Sequence, residues 1–158
     1  MLSELLQYIN KWYVKTLEVQ TFTIVPDGIE FAFNETYLVG QYISIDNSVL
    51  NDGVYKITAL TSTKITVADT LVAENTENVY LWGLAIPKDI VSLSITIEDY
   101  LIESNDGLAS ENQGGRSVSY AENSTWSSVF GSRLNKYRSI VSDKDIFAHY
   151  DINTKHYY

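Results

Sequence analysis

The sequence predicts an α+β chain, a small helical core combined with an antiparallel β barrel or sandwich, on three observations. Apolar residues recur at helical spacing near both ends, they alternate in short runs across residues 17–83, and the period changes sharply at Leu17. The 158 residues fit one domain, or one small domain carrying an insertion, and an apolar fraction of 45% supports a real core.

Residues 3–16 suit an amphipathic helix. Ser3 can cap it, and Leu2, Leu5, Leu6, Ile9, Trp12 and Tyr13 form its apolar stripe. Those residues read first as core, although Trp12 and Tyr13 together make an aromatic end able to seat on a partner. From Leu17 to Val25 the chain is strand-like, Pro26-Asp27-Gly28 is a turn, and Ile29 to Phe33 alternates cleanly. Tyr37 to Asp46 is the next strand. Asn51-Asp52-Gly53 supplies residues tolerant of positive φ, and Val54 to Leu60 returns. Lys64 to Ala68 and Val79 to Trp82 complete six β segments, the last two separated by the polar run Glu74 to Asn78. Such a set folds onto itself as a small barrel or sandwich.

Residues 87–103 carry both periods. Val91, Leu93, Ile95 and Ile97 alternate, whereas Ile86, Ile90, Leu93, Ile97 and Leu101 fit a helix whose first turn suits Pro87, Lys88 and Asp89. Length without an internal breaker favours the helix. Ser104 to Gly115 reads as an acidic, glycine-bearing loop, and Arg116 to Tyr120 as a short strand behind the Gly114-Gly115 hinge. A helix then opens at Ser124 or Thr125, with Trp126, Val129, Phe130, Leu134, Tyr137 and Val141 as its stripe. Arg133, Lys136 and Arg138 fall largely off that stripe, towards solvent or a partner. Ser142 to Tyr158 shows no sustained period but holds Phe147, Tyr150, Tyr157 and Tyr158, more aromatics than a disordered tail carries. It reads as an extended tail ordered by a partner, with a frayed terminus as the competing reading.

Net charge is −9 and unevenly spread. Residues 1–115 carry five Lys/Arg and sixteen Asp/Glu, a balance of −11, and residues 116–158 carry six and four, a balance of +2. A soluble acidic domain needs no partner to explain this. Alternatively, acidic and basic faces meet in neighbouring copies of a homo-oligomer. The acidic bulk argues against general nucleic-acid binding, while leaving room for a narrow ring lined by Arg116, Arg133 or Arg138 near DNA.

Catalytic patterns do not emerge. Without cysteine there is no disulfide or thiol chemistry. No glycine-rich phosphate loop follows a strand, and neither a zinc-protease motif nor a nucleophile elbow occurs. His149 and His156 flank Asp151, but a terminal tail offers such ligands no fixed geometry or second shell. Glu98 and Asp99 point to different sides of any helix, Glu103 reads as a solvated charge, and Trp82 needs a cleft before it counts as a sugar platform. The expectation is a non-enzyme with no metal and no cofactor. The opening Met1-Leu-Ser-Glu-Leu-Leu lacks the basic start of a signal peptide, and no run approaches a membrane span.

One ordered set of segments carries a resemblance. Ile86-Pro87 opens a helix, the loop Ser104 to Gly115 follows, then Ser117-Val-Ser-Tyr120, then the basic Leu134-Asn-Lys-Tyr-Arg138. This order and spacing, over roughly residues 84–141 and with the N-terminal helix as a weaker second match, resembles the head–tail connector (neck adaptor) proteins of tailed bacteriophages. The resemblance implies a helical connector core of residues 1–16 and 84–141, with 17–83 as an inserted β module and 142–158 as the tail. It also implies a structural virion protein that forms a ring of about twelve copies beneath the portal. Such a ring extends the channel through which genomic DNA passes without sequence-specific binding. Its partners are the portal protein, a downstream neck or tail-completion protein and further copies of itself, with no membrane. Its place is the head–tail neck of the virion, reached from the host cytoplasm during assembly. The candidate interface residues are then Arg116, Val118, Tyr120, Arg133, Lys136, Arg138, Phe147, Tyr150, Tyr157 and Tyr158. The alternative is a monomeric β-rich module on the virion surface, for instance one that binds carbohydrate.

Overall fold

A computed structural model describes residues 1–105, 110–113, 116–119 and 125–154. It combines helix and strand, with a closed six-stranded antiparallel barrel and, among the described residues, four α-helices. By compactness the chain divides into two units. Met1–Ile9 joins Pro87–Ser139, and Asn10–Ile86 joins the described part of 140–158.

The barrel contains β1 (Val14–Val25), β2 (Gly28–Glu30), β3 (Tyr42–Asp46), β4 (Gly53–Leu60), β5 (Lys64–Val67) and β6 (Glu74–Leu84). Around the wall the order is β1-β2-β5-β4-β3-β6, and β6 closes on β1. Alternation decides which side chains enter. Phe22, Ile24, Ile29, Ile43, Ile45, Ile57, Ile65, Val79 and Leu81 are buried together as the core. Closure removes the open edges that short strands would otherwise present.

Several expected boundaries move, each for a local reason. The first helix, α1 (Leu2–Ile9), stops seven residues early because Asn10 takes the left-handed region at φ 54°. Trp12 and Tyr13 therefore leave its stripe. The helix opens with the Leu5 amide donating to the Met1 carbonyl, so Ser3 lies inside it rather than capping it. In the second β segment only Gly28–Glu30 pairs, yet Phe31 and Phe33 still pack, with ring centroids 4.1 Å for Phe22–Phe31 and 3.7 Å for Phe31–Phe33. The third shrinks to Tyr42–Asp46, because Gly40 turns the chain at φ 86°. Strand β6 instead lengthens through the polar run 74–78. The twelve-residue β1 offers partners there, and Asn75 and Glu77 face solvent.

In the other unit, α2 (Lys88–Asn105) resolves the ambiguous stretch as helix. Ile90, Leu93 and Ile97 are buried, while the alternating partner Ile95 is exposed, so the 3.6-residue period prevails. Part of the expected acidic loop forms β7 (Ser110–Gln113), which pairs with β8 (Arg116–Ser119) in a two-stranded sheet. Helix α3 (Trp126–Leu134) continues into a 3₁₀ turn, Asn135–Tyr137. It ends before Val141, and only Phe130 and Leu134 of its expected stripe are buried, since Val129 and Val141 are exposed. Helix α2 packs against both α1 and α3.

The C-terminal stretch is not extended. Asp143–Thr154 forms α4, and it clusters with the barrel's unit. Ser142-Asp-Lys-Asp145 has the spacing of a capping box with two acids in the first turn, a start signal stronger than the weak apolar period behind it.

Candidate functional site

Three exposed cations close the helical unit, and each stands against an aromatic ring. The Arg133 guanidinium lies 5.9 Å from the Phe130 centroid, Lys136 Nζ 4.6 Å from that of Tyr137, and the Arg138 guanidinium 5.3 Å from that of Tyr8. The rings are themselves held. Tyr8 packs edge-on to Trp126 at 5.1 Å, Phe130 against Tyr100 at 5.6 Å, and the Tyr137 hydroxyl donates to Asp89 Oδ2 at 2.5 Å. That hydrogen bond is the main reason the Asp89 carboxyl sits below its ordinary pKa, and contact with Tyr137 likewise raises Lys136. Ring contacts of this kind orient a cation without removing it from solvent. Arg133, Lys136 and Arg138 are thus presented outward, as an anion-facing or acid-facing surface requires.

Arg116 and Val118 lie in β8, opposite Gln113 and Glu111 respectively. Tyr120, Tyr157 and Tyr158 lie outside the described residues. Phe147 and Tyr150 are carried by α4, within the barrel's unit rather than with Arg133. Phe147 is half-buried.

Sequence reasoning missed the seat of α4. Lys144 is only 9% exposed, and its Nζ donates to Ser44 Oγ at 2.9 Å and to Asp46 Oδ2 at 2.7 Å. The ammonium lies 3.7 Å from the Trp12 ring centroid and 5.3 Å from that of Trp82. Burial pulls the Lys144 pKa down, against the opposing pull of Asp46. Next to it, Asp143 accepts the Trp12 amide at 2.7 Å on Oδ1 and the Val14 amide at 3.0 Å on Oδ2. The first turn of α4 is therefore riveted to the start of β1 and the outer faces of β3 and β6. Trp82, buried here and stacked on Tyr80, presents no open platform to a sugar. The capping-box spacing at Ser142 could have disclosed the helix, but not its seat.

A buried acid elsewhere in the barrel's unit is structural in its contacts. Glu18 accepts from the Tyr37 hydroxyl at 2.6 Å, from the Glu35 amide at 3.2 Å and from the Asn34 amide. Burial, then this carboxylate, drives the Tyr37 pKa far upward. The group closes the loop between β2 and β3. Among the described residues no three His, Asp or Glu side chains converge to hold a metal ion, and no helix is long and apolar enough to cross a membrane.

Comparison with family models, with curated proteins and with solved structures finds no match to this chain.

Proposed function

We propose that this chain is a head–tail connector of a tailed phage or prophage, a structural protein that rings the DNA channel beneath the portal. The observation that carries the reading is the composition of the helical unit. Met1–Ile9 and Pro87–Ser139 form one compact body although the whole barrel lies between them in sequence. This is the order in which the resembling segments run, with β8 at the Ser-Val-Ser position and the basic α3 end after it.

Two features support assembly by binding. Strands β7 and β8 pair only with each other among the described residues, leaving outer edges of the kind that strand addition uses. The exposed cations at the end of α3 suit an acidic neighbour. In the proposed mechanism copies join head to tail and close by rotation, the portal and the next neck component bind opposite ends, and DNA passes without base readout. The test is co-sedimentation of the full chain with portal-containing heads. Retention on those heads, with none on heads lacking the portal, is the expected result. A chain that stays in the supernatant with both overturns the reading.

A further inference from the structure

One end of the barrel is built as a rigid apolar tip. The loop between β3 and β4 hangs on Glu74, whose carboxylate accepts from Ser48 Oγ, from Asn51 Nδ2 at 2.5 Å and from the Val49 amide at 3.3 Å. Asn51, almost fully buried, ties that loop to the one between β5 and β6 by exchanging two hydrogen bonds with the Val72 backbone, at 2.9 and 2.7 Å. Asp52 accepts the Ser48 amide at 2.7 Å. These bonds hold outward the side chains a soluble surface ordinarily hides: Val49 is 79% exposed, Leu50 60% and Val72 52%. Preorganised apolar groups of this kind lose little entropy on docking.

The collar of the tip is acidic. Asp52, Asp69 and Glu74 all act on the Tyr55 hydroxyl, which donates to the Asn51 carbonyl at 2.9 Å, and after burial their negative field is what raises its pKa. An apolar tip in an acidic collar is repelled by anionic lipid and by nucleic acid, and it fits an apolar patch rimmed by cations. This chain carries an exposed apolar side chain with two cations on the same helix face. Val129, 45% exposed, Arg133 and Lys136 follow at four- and three-residue steps along α3 and its 3₁₀ extension.

We propose that the barrel tip of Val49, Leu50 and Val72 docks on the Val129, Arg133 and Lys136 face of a second copy of this chain. The inference rests on the connector reading and names the contact between neighbours. It is heterologous, one surface meeting a different one, so repetition generates a ring when the rotation closes.

The experiment is sedimentation of the full chain over a concentration series, with variants and mixtures. Wild type self-associates. Asp69→Lys alone and Arg133→Glu alone each weaken association by about ten-fold or more, because like charges then face each other. An equimolar mixture of the two recovers to within about three-fold of wild type, because alternating copies restore every opposite-charge pair. Val49→Ser with Leu50→Ser abolishes association, and its thermal melt, unchanged at such exposed positions, shows that the fold persists. A monomeric wild type at all concentrations, variants that associate like wild type, or a mixture no better than its components each overturns the inference. Tip-dependent binding to vesicles of zwitterionic lipid also overturns it. Retention on heads is measured on the same variants. Retained chains with unaltered association refute this contact while leaving the connector reading standing; chains never retained refute the reading itself.

Discussion

Lys144 Nζ and Asp46 Oδ2 meet at 2.7 Å across 98 positions of sequence, with the Trp12 ring covering the ammonium. This pair seats α4 on the barrel. Removing the cation leaves the carboxylate with the Ser44 hydroxyl, at 3.3 Å, as its hydrogen-bond donor. Asp46 is partly exposed, so the loss is smaller than for a fully buried pair. Lys144→Met should cost about 1–3 kcal/mol in urea unfolding. Truncation after Ser142 should cost more, since it also removes Phe147 and the two amide bonds to Asp143. A truncated chain as stable as wild type would show that α4 contributes nothing to the barrel.

Stability should fall on the alkaline side through Tyr37. Its folded pKa is raised above the ordinary value by burial and then by Glu18, so its contribution is full below about pH 10 and is lost as pH rises beyond it. Lys144 has the opposite sign, because its folded pKa is lowered and the unfolded chain binds the extra proton. Comparison with Tyr37→Phe isolates the tyrosine. The slope of unfolding free energy between about pH 9.5 and 11 should be less negative in the variant. Parallel slopes would assign the alkaline loss to other groups.

Glycine replacements separate crowding from strain. A Cβ on Gly28 would lie 2.0 Å from the Ile65 carbonyl oxygen, within the β2–β5 pairing that helps close the barrel. Backbone cannot swing aside as a side chain can, so Gly28→Ala should cost about 3 kcal/mol. At Gly40 the added atom meets nothing within 4 Å, but φ is +86°. Gly40→Ala should cost about 1–2 kcal/mol, from conformational strain alone. Chemical melts of the two variants decide the order; a reversal would refute the crowding argument.

Strand β8 offers the direct test of strand addition. Val118 pairs with Glu111, and proline there removes an amide and stiffens the strand. Val118→Pro should leave the barrel's cooperative melt within about 0.5 kcal/mol of wild type, because the β7–β8 sheet is separate from the barrel wall. On the proposed connector function, retention on portal-containing heads should fall by about ten-fold. Undiminished retention would refute strand addition at β8.

Much of the architecture was legible because it is local. The change of period near Leu17 and the turn at Pro26-Asp27-Gly28 each depend on residues a few positions apart, and each recurs in the barrel; the positive φ expected within Asn51-Asp52-Gly53 falls instead at Asn47, and Gly53 already opens β4. Helix α2 was legible through Ile90, Leu93 and Ile97 for the same reason. Arg133, Lys136 and Arg138 were legible as outward-facing from their place off the α3 stripe, though not the rings that hold them. The early end of α1 was hidden, because a left-handed Asn10 leaves no mark in an apolar pattern that continues to Trp12 and Tyr13. The length of β6 was hidden too. Its polar residues are strand only because β1 pairs with them.

By itself the sequence determined the helical periods behind α1, α2 and α3, the alternation of the barrel's apolar segments, the turn at Pro26-Asp27-Gly28 and the division of charge, since neighbouring side chains and backbone preference set all of these. Tertiary structure decided that the strands close into a barrel, that Glu74 and Asn51 hold an apolar tip in the open, and that a stretch read as a tail is a helix pinned by Lys144. Each of these depends on partners distant in sequence, Ser44 lying 100 positions from Lys144. No local pattern encodes which distant carboxylate or indole a buried cation will meet, because that choice belongs to the packing of the whole wall.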